Sequence, residues 1–258
     1  MVGGLTPRDL IALAREAQRG VAPTGPIVVW GPAGSEVAAA LREGGRAELV
    51  VVDGDPERGS ALVVVLDGQA TDADLDAMRR ATRAGMPVVA LARGPVGERP
   101  PYVLATDLLE WPPGTPVPTR ALAGRLAAGL LEAAVGVAAG LPAVRAAVVR
   151  RRAGDSAVVA GMIALLRRGQ LPVSPVITLL QARMLRQVEA ASGKPVPVQP
   201  QAAIMAAAPE VAAAMATGLL CRTAARALPV RGRLLDAGVA YGGTLALAQV
   251  ASRVLARR

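Results

Sequence analysis

Five short apolar runs, Ile27–Trp30, Leu49–Val52, Leu62–Leu66, Val88–Leu91 and Tyr102–Leu104, follow one another with turns or helical stretches between them. None alternates apolar with polar residues. Each is therefore expected to be buried on both faces, as strands of a parallel sheet are when helices cover both sides. Between the runs, Val37 to Leu41 and Thr71 to Ala84 read as helices, and the second opens on Thr71-Asp72-Ala73-Asp74, a capping hydroxyl followed by acid. This order predicts an α/β sheet of mostly parallel strands ending at the breaker Trp111-Pro112-Pro113-Gly114. Ahead of it, Thr6-Pro7-Arg8-Asp9 starts a helix that runs to Gly20, and Val21 to Pro26 reads as a linker.

From Thr119 onward the pattern turns helical, so the chain divides into residues 1–118, an α/β domain, and residues 119–258, an all-α domain. Breaks are expected at Gly140-Leu141-Pro142, Ala153-Gly154, Leu171-Pro172, Gly193 to Pro200, Pro209 and Leu228-Pro229. A helix beginning at Ser174-Pro175 carries Ile177, Leu180, Met184 and Val188 on one stripe, and the last helix runs from Arg233 to about Ala256. Gly136-x3-Gly140 and Gly238-x3-Gly242 permit close helix approach.

The two regions differ in charge. Met1 to Leu122 holds 12 Arg against 15 Asp and Glu, a net −3; Ala123 to Arg258 holds 16 Arg and one Lys against 5 acids, a net +12. Only the second region is suited to an anionic partner. Its arginines fall in two clusters, Arg145, Arg150, Arg151 and Arg152, and then Arg222, Arg226, Arg231 and Arg233. Either cluster reads as an ordinary solvated helix end or as a basic edge for a partner or an anionic membrane surface. Nucleic acid is disfavoured, because Tyr241 is the one aromatic residue in that half and no stacking platform can be built. No run is long and charge-free enough to be a spanning helix. The apolar helices are either buried in a bundle packed through Ala and Gly, or a hairpin that associates with a bilayer. Met1 to Gly20 has no apolar stretch of the signal type, and the expected location is the cytoplasm, with membrane association on the cytoplasmic face as an extension.

Several kinds of chemistry are removed by composition. The chain has no His, which rules out Ser-His-Asp and Cys-His nucleophile pairs, and its one cysteine, Cys221, can form neither a Cys/His zinc site nor a disulfide framework within one chain.

The segment Ile27-Val28-Val29-Trp30-Gly31-Pro32-Ala33-Gly34-Ser35 is a strand, a Gly-bearing turn and a helix start, where a phosphate loop would sit. Such a loop needs Gly-x4-Gly-Lys-Ser/Thr, so that backbone N–H groups wrap the phosphates, the ammonium neutralises them and the hydroxyl holds Mg²⁺. With Gly31 as first glycine, Glu36, Val37 and Ala38 stand at the Gly, Lys and Ser/Thr positions; with Gly34 as second glycine, Ser35 and Glu36 follow it. Both registers fail, and a carboxylate there repels a triphosphate. Gly31, Ala33, Gly34 and Ser35 are thus at most a vestigial loop, and an ordinary strand-to-helix turn accounts for them. A guanine-reading Asn-Lys-x-Asp is also absent after Pro87–Leu91, where Ala92-Arg93-Gly94-Pro95 stands, and the chain contains no Asn. Only 18 residues separate Gly34 from Asp53, too few for a helix, a switch loop and an additional strand. Asp53 and Asp67 each follow a strand and are weak Mg²⁺ candidates, whereas Asp72, Asp74 and Asp76 suit the positive end of a helix. No cofactor and no metal are expected.

Three pieces recur in order in the second region: Leu171-Pro172-Val173-Ser174-Pro175 leading into Leu179 to Leu185, then Leu228-Pro229-Val230-Arg231-Gly232, then Ala237 to Leu247 with its Ala240-Tyr241-Gly242-Gly243-Thr244 run. From about Arg145 to the end, a little under half the chain, the sequence resembles the helical domain of unknown function that follows GTPase domains in many bacterial proteins and occurs in YcjF-type inner-membrane proteins. The resemblance implies a helical module, often membrane-associated, with no assigned chemistry, preceded by a partner GTPase domain that has lost its motifs. The expectation is a non-catalytic pseudo-GTPase-like adaptor or scaffold that binds a protein partner or another copy of itself. The alternative is a GTPase-related sensor or enzyme that binds nucleotide through a non-standard loop.

Overall fold

The computed structural model describes residues 24–95, 97–165, 173–193 and 233–256. The helix expected from Thr6 to Gly20, and the breaks at Leu171-Pro172, Pro209 and Leu228-Pro229, lie outside them. Two compact units are present. One comprises Ala22–Arg151 with Ala190–Lys194; the other takes Arg152–Glu189 and, among the described residues after it, 233–256.

The first unit is built on five parallel strands, β1 (Ile27–Trp30), β2 (Val50–Val52), β3 (Ala61–Leu66), β4 (Val88–Ala92) and β5 (Leu108–Glu110), in the order β2-β1-β3-β4-β5. Val-rich, β-branched runs suit a pleated surface, and the pairing Ile27↔Ala61 through Trp30↔Val64 keeps successive residues pointing to opposite faces. Ile27, Val29, Val63, Val65, Val89 and Leu91 point to one face. There they meet Val37 and Leu41 of α1 (Gly34–Arg42), Leu122 and Leu126 of α3 (Thr119–Gly129), Val137 of α4 (Ala134–Gly140) and Val144 and Val148 from the start of α5 (Pro142–Leu165). Val28, Leu62, Val64, Leu66 and Ala90 point the other way, against Ala77, Met78 and Ala81 of α2 (Asp72–Arg83). Each fully buried Val, Leu or Met contributes roughly 1.5–3 kcal/mol, so the two-sided apolar runs are the main drive for this architecture.

The capping signal before α2 takes the expected form. Thr71 accepts from the N–H of Asp74, and the Asp74 carboxylate accepts from the N–H of Thr71, a reciprocal capping box. The fifth strand differs from expectation. Tyr102–Leu104 forms no strand; the chain turns there, with the N–H of Val103 donating to Pro100, and β5 lies a few residues later at Leu108–Glu110. Pro100 and Pro101 bring no backbone donors to a ladder, and Val103 instead buries its side chain against the α2 face. A second difference concerns Ala153-Gly154, where α5 continues unbroken; a lone glycine weakens a helix without ending it.

The second unit packs the later part of α5, α6 (Val173–Ala191) and α7 (Arg233–Ala256) around Ala153, Met184, Leu185, Leu247 and Ala248. A Cβ at Gly161 would stand 3.5 Å from both the Ala237 carbonyl oxygen and the Tyr241 Cβ, so α5 and α7 approach closely there. Among the described residues, nothing lies within 4 Å of a Cβ placed at Gly238 or Gly242. Close packing at Gly140 involves the Leu49 and Arg46 side chains of the first unit, to which Gly140 also belongs. No helix among the described residues is long and apolar enough to cross a membrane.

Candidate functional site

The turn after β1 occupies the point where the strand order reverses, with β2 on one side of β1 and β3 on the other, the usual place for a ligand crevice in an open α/β sheet. Gly31 has φ +105 there, and a Cβ at this position would collide with the Val65 carbonyl oxygen of β3. Its glycine is explained by that close approach of two backbones. The N–H of Gly34 donates to the Gly31 carbonyl at 2.9 Å, and the N–H groups of Glu36 and Val37 donate to the Ala33 carbonyl at 3.1 and 3.3 Å. Ala33 and Gly34 are buried, Ser35 and Glu36 exposed. Donors that a phosphate cradle would aim outward are thus turned back into the loop, and the Glu36 carboxylate sits in the first turn of α1, facing the positive end of its dipole.

Trp30, the last residue of β1, packs its ring against the α2-side core and donates its indole N–H to Asp74 Oδ1 at 3.1 Å. Asp74 is therefore a buried structural acceptor. Asp76 pairs with Arg79 and Arg80, and Asp55 with Arg58 and Arg80. Arg79 also donates to the Tyr102 hydroxyl at 3.1 Å, and that contact, with Asp76 adding, raises its pKa.

Asp53 and Asp67 are both exposed, at the ends of β2 and β3. Asp53 has φ +51 and gives its N–H to Val29, a left-handed position that Asp tolerates. Because β1 runs between their strands, the two chains are about 10 Å apart at that edge, two strand spacings. Among the described residues no group of three or more His, Cys, Asp or Glu could hold a metal ion.

The arginines separate into different environments. Arg145 reaches back to the Ala138 and Ala139 carbonyls at 3.3 and 3.4 Å, satisfying the C-terminal end of α4. Arg150 and Arg151 instead line an open groove of about 920 Å³ with Arg120 and Arg125 of α3. Leu109 of β5, Val117 and Ala147 contribute apolar lining, and among the described residues no acid lines it. All four arginines are exposed. Among the described residues Arg120, Arg125 and Arg150 have no ion-pair partner, whereas Arg151 and Arg152 have contacts of their own. Arg152 is half-buried and does not line the groove. Arg233 opens α7, and Arg222, Arg226 and Arg231 lie outside the described residues.

Arg120 and Arg125 were not singled out by sequence clustering. They are the only charges in α3, a helix without an acid, and that imbalance was the available signal.

At the C-terminal end of β4, the Arg93 guanidinium lies 5.1 Å from the centre of the Trp111 ring. Trp111 is 2% exposed and donates its indole N–H to Thr115, while the buried Arg93 Nε has no hydrogen-bond partner among the described residues. No family model matches the chain, and no curated protein or solved structure matches it.

Proposed function

We propose that this protein is a non-catalytic, pseudo-GTPase-like adaptor. Its α/β unit binds a partner, and its helical unit associates with another copy of the chain or with a membrane surface. The parallel sheet and the strand–glycine turn–helix at β1 support a GTPase-like origin, and the absence of a Lys from the β1 turn and of any Asn or His from the chain supports the loss of its chemistry. The observation that carries the reading is the inward-turned β1–α1 loop, where the N–H groups of Gly34 and Glu36 are already donated and a carboxylate occupies the first helical turn. A triphosphate would have to break those bonds and approach Glu36 without a compensating ammonium.

Calorimetric titration with GTP and ATP, with and without Mg²⁺, tests this, and no saturable heat is expected. Micromolar binding of either nucleotide would replace the adaptor with a nucleotide sensor.

For the helical unit the support is an exposed apolar stripe. Val158, Met162 and Leu165 recur at the i, i+4, i+7 spacing of one face of α5, Met162 being 54% exposed, and Tyr241 of α7 is 42% exposed. Light scattering separates a dimer from a monomer, and pelleting with anionic vesicles, reversed by salt, separates membrane docking from self-association. A monomer indifferent to vesicles overturns this part of the proposal.

A further inference from the structure

The geometry points to the groove between α3, the start of α5 and β5 as a docking site for an acidic segment of a partner protein that also carries apolar anchor residues. This rests on the adaptor reading and names the chemistry of the partner. The groove lies wholly within the α/β unit, and its two kinds of lining do different work.

Arg120 and Arg125 come from one helix, and Arg150 and Arg151 from another, so the positive charge surrounds the groove instead of forming a single stripe along one helix. Arginine presents a planar fork of donors that matches carboxylates two bonds at a time. Among the described residues there is no acid in the lining and no ion-pair partner for Arg120, Arg125 or Arg150, so none of these residues offers those donors a carboxylate in place of a ligand. Leu109, Val117 and Ala147 then supply an apolar surface between the charges. A segment with Asp or Glu flanking an aliphatic residue satisfies both at once.

Other anions fit less well. A bilayer surface meets the exposed arginines but leaves the concave apolar lining without contact. Nucleic acid would use the charges, yet none of the chain's Trp or Tyr residues lines the groove to stack a base. Its volume, about 920 Å³, is near the top of the roughly 300–1,000 Å³ range of small-ligand pockets, but those enclose most of their ligand and this groove is open. A chain that passes through it is the better match.

The test is selection of short random peptides displayed against the immobilised full chain, followed by fluorescence polarisation with the synthesised winners. Enriched peptides are expected to carry Asp or Glu beside Leu, Ile or Met, and to bind more weakly as salt rises. Replacing both exposed side chains in Arg125→Gln/Arg150→Gln should weaken binding roughly tenfold, since each exposed ion pair contributes modestly. Arg120→Glu should weaken it further by repulsion. Arg83→Gln/Arg99→Gln, exposed arginines outside the lining, should leave it unchanged. Circular dichroism and urea midpoints check that all variants fold.

The inference is overturned if no peptide is enriched, if the winners lack acids, or if their affinity survives Arg125→Gln/Arg150→Gln and Arg120→Glu. It is also overturned if only anionic vesicles or RNA bind in a way those substitutions abolish. Nucleotide binding in the calorimeter would remove the adaptor reading and leave the peptide result standing, whereas failed peptide selection with no nucleotide heat would remove only the groove's assignment.

Discussion

The indole N–H of Trp30 and the carboxylate of Asp74 meet at 3.1 Å, tying the last residue of β1 to the first turn of α2. The second oxygen, Oδ2, accepts from both the Thr71 N–H and the Thr71 hydroxyl, at 2.9 and 2.8 Å. One buried carboxylate therefore completes a capping box and anchors a strand end. Asp74→Ala removes the carboxylate half of the capping box while Thr71 remains the N-cap, and it takes the acceptor from the Trp30 and Thr71 donors, so a loss of about 2–3 kcal/mol is expected in urea unfolding. A change below about 0.5 kcal/mol would mean that water satisfies these donors equally well.

Gly31 and Gly68 share a left-handed backbone but not their surroundings. A Cβ at Gly31 would strike the backbone of β3, whereas one at Gly68, φ +90, meets nothing within 4 Å among the described residues. Gly31→Ala should cost about 3 kcal/mol or more, because backbone must shift, and Gly68→Ala only about 1–2 kcal/mol of conformational strain. Calorimetric melting of the two variants checks the order. Equal losses would remove close packing as the reason for the glycine at 31.

At Arg93 two effects oppose each other. Stacking on Trp111 contributes about 1 kcal/mol, while the buried Nε, unpartnered among the described residues, costs about 1–3 kcal/mol. Arg93→Met keeps an apolar stem over the ring and removes the unpaired group, so it should melt at or above the temperature of the unaltered protein. Arg93→Ala also loses the stem and should melt lower. A large destabilisation by Met would reveal a partner for the guanidinium.

In the helical unit, Gln181 Nε2 donates to Thr244 Oγ1 at 3.1 Å, and that hydroxyl donates onward to the Ala240 carbonyl at 2.8 Å. The chain of donors makes the pair unequal. Thr244→Val strands the Gln181 amide and should cost about 2 kcal/mol, whereas Gln181→Leu leaves the hydroxyl's donor satisfied and should cost less, about 1 kcal/mol. In the double variant most of the Thr244→Val loss should be recovered. Additive losses in urea unfolding would refute the coupling.

The legible parts of the fold share a cause. Ile27–Trp30, Ala61–Leu66 and Val88–Ala92 are apolar on every residue, and two-sided burial leaves that mark wherever a strand lies inside a covered sheet. Strand β5 carries no such mark, because Leu108 and Leu109 are half-buried and Glu110 is exposed. The apolar Tyr102–Leu104 was the more visible run, yet the prolines before it and the burial of Val103 give it another role.

For the candidate site, sequence alone determined that the β1 turn has an acid beside it and no ammonium, and that no guanine-reading Asn exists. It also located Arg150 and Arg151. Only the tertiary structure decided that these two join Arg120 and Arg125 around one groove, that Arg145 is engaged by the end of α4, and that the Gly34 and Glu36 N–H groups are donated back into the loop. The reason is physical. Periodicity and capping record the local backbone and which face is buried, but helices packed through Ala and Gly carry little pattern to say which distant side chains their approach will bring together.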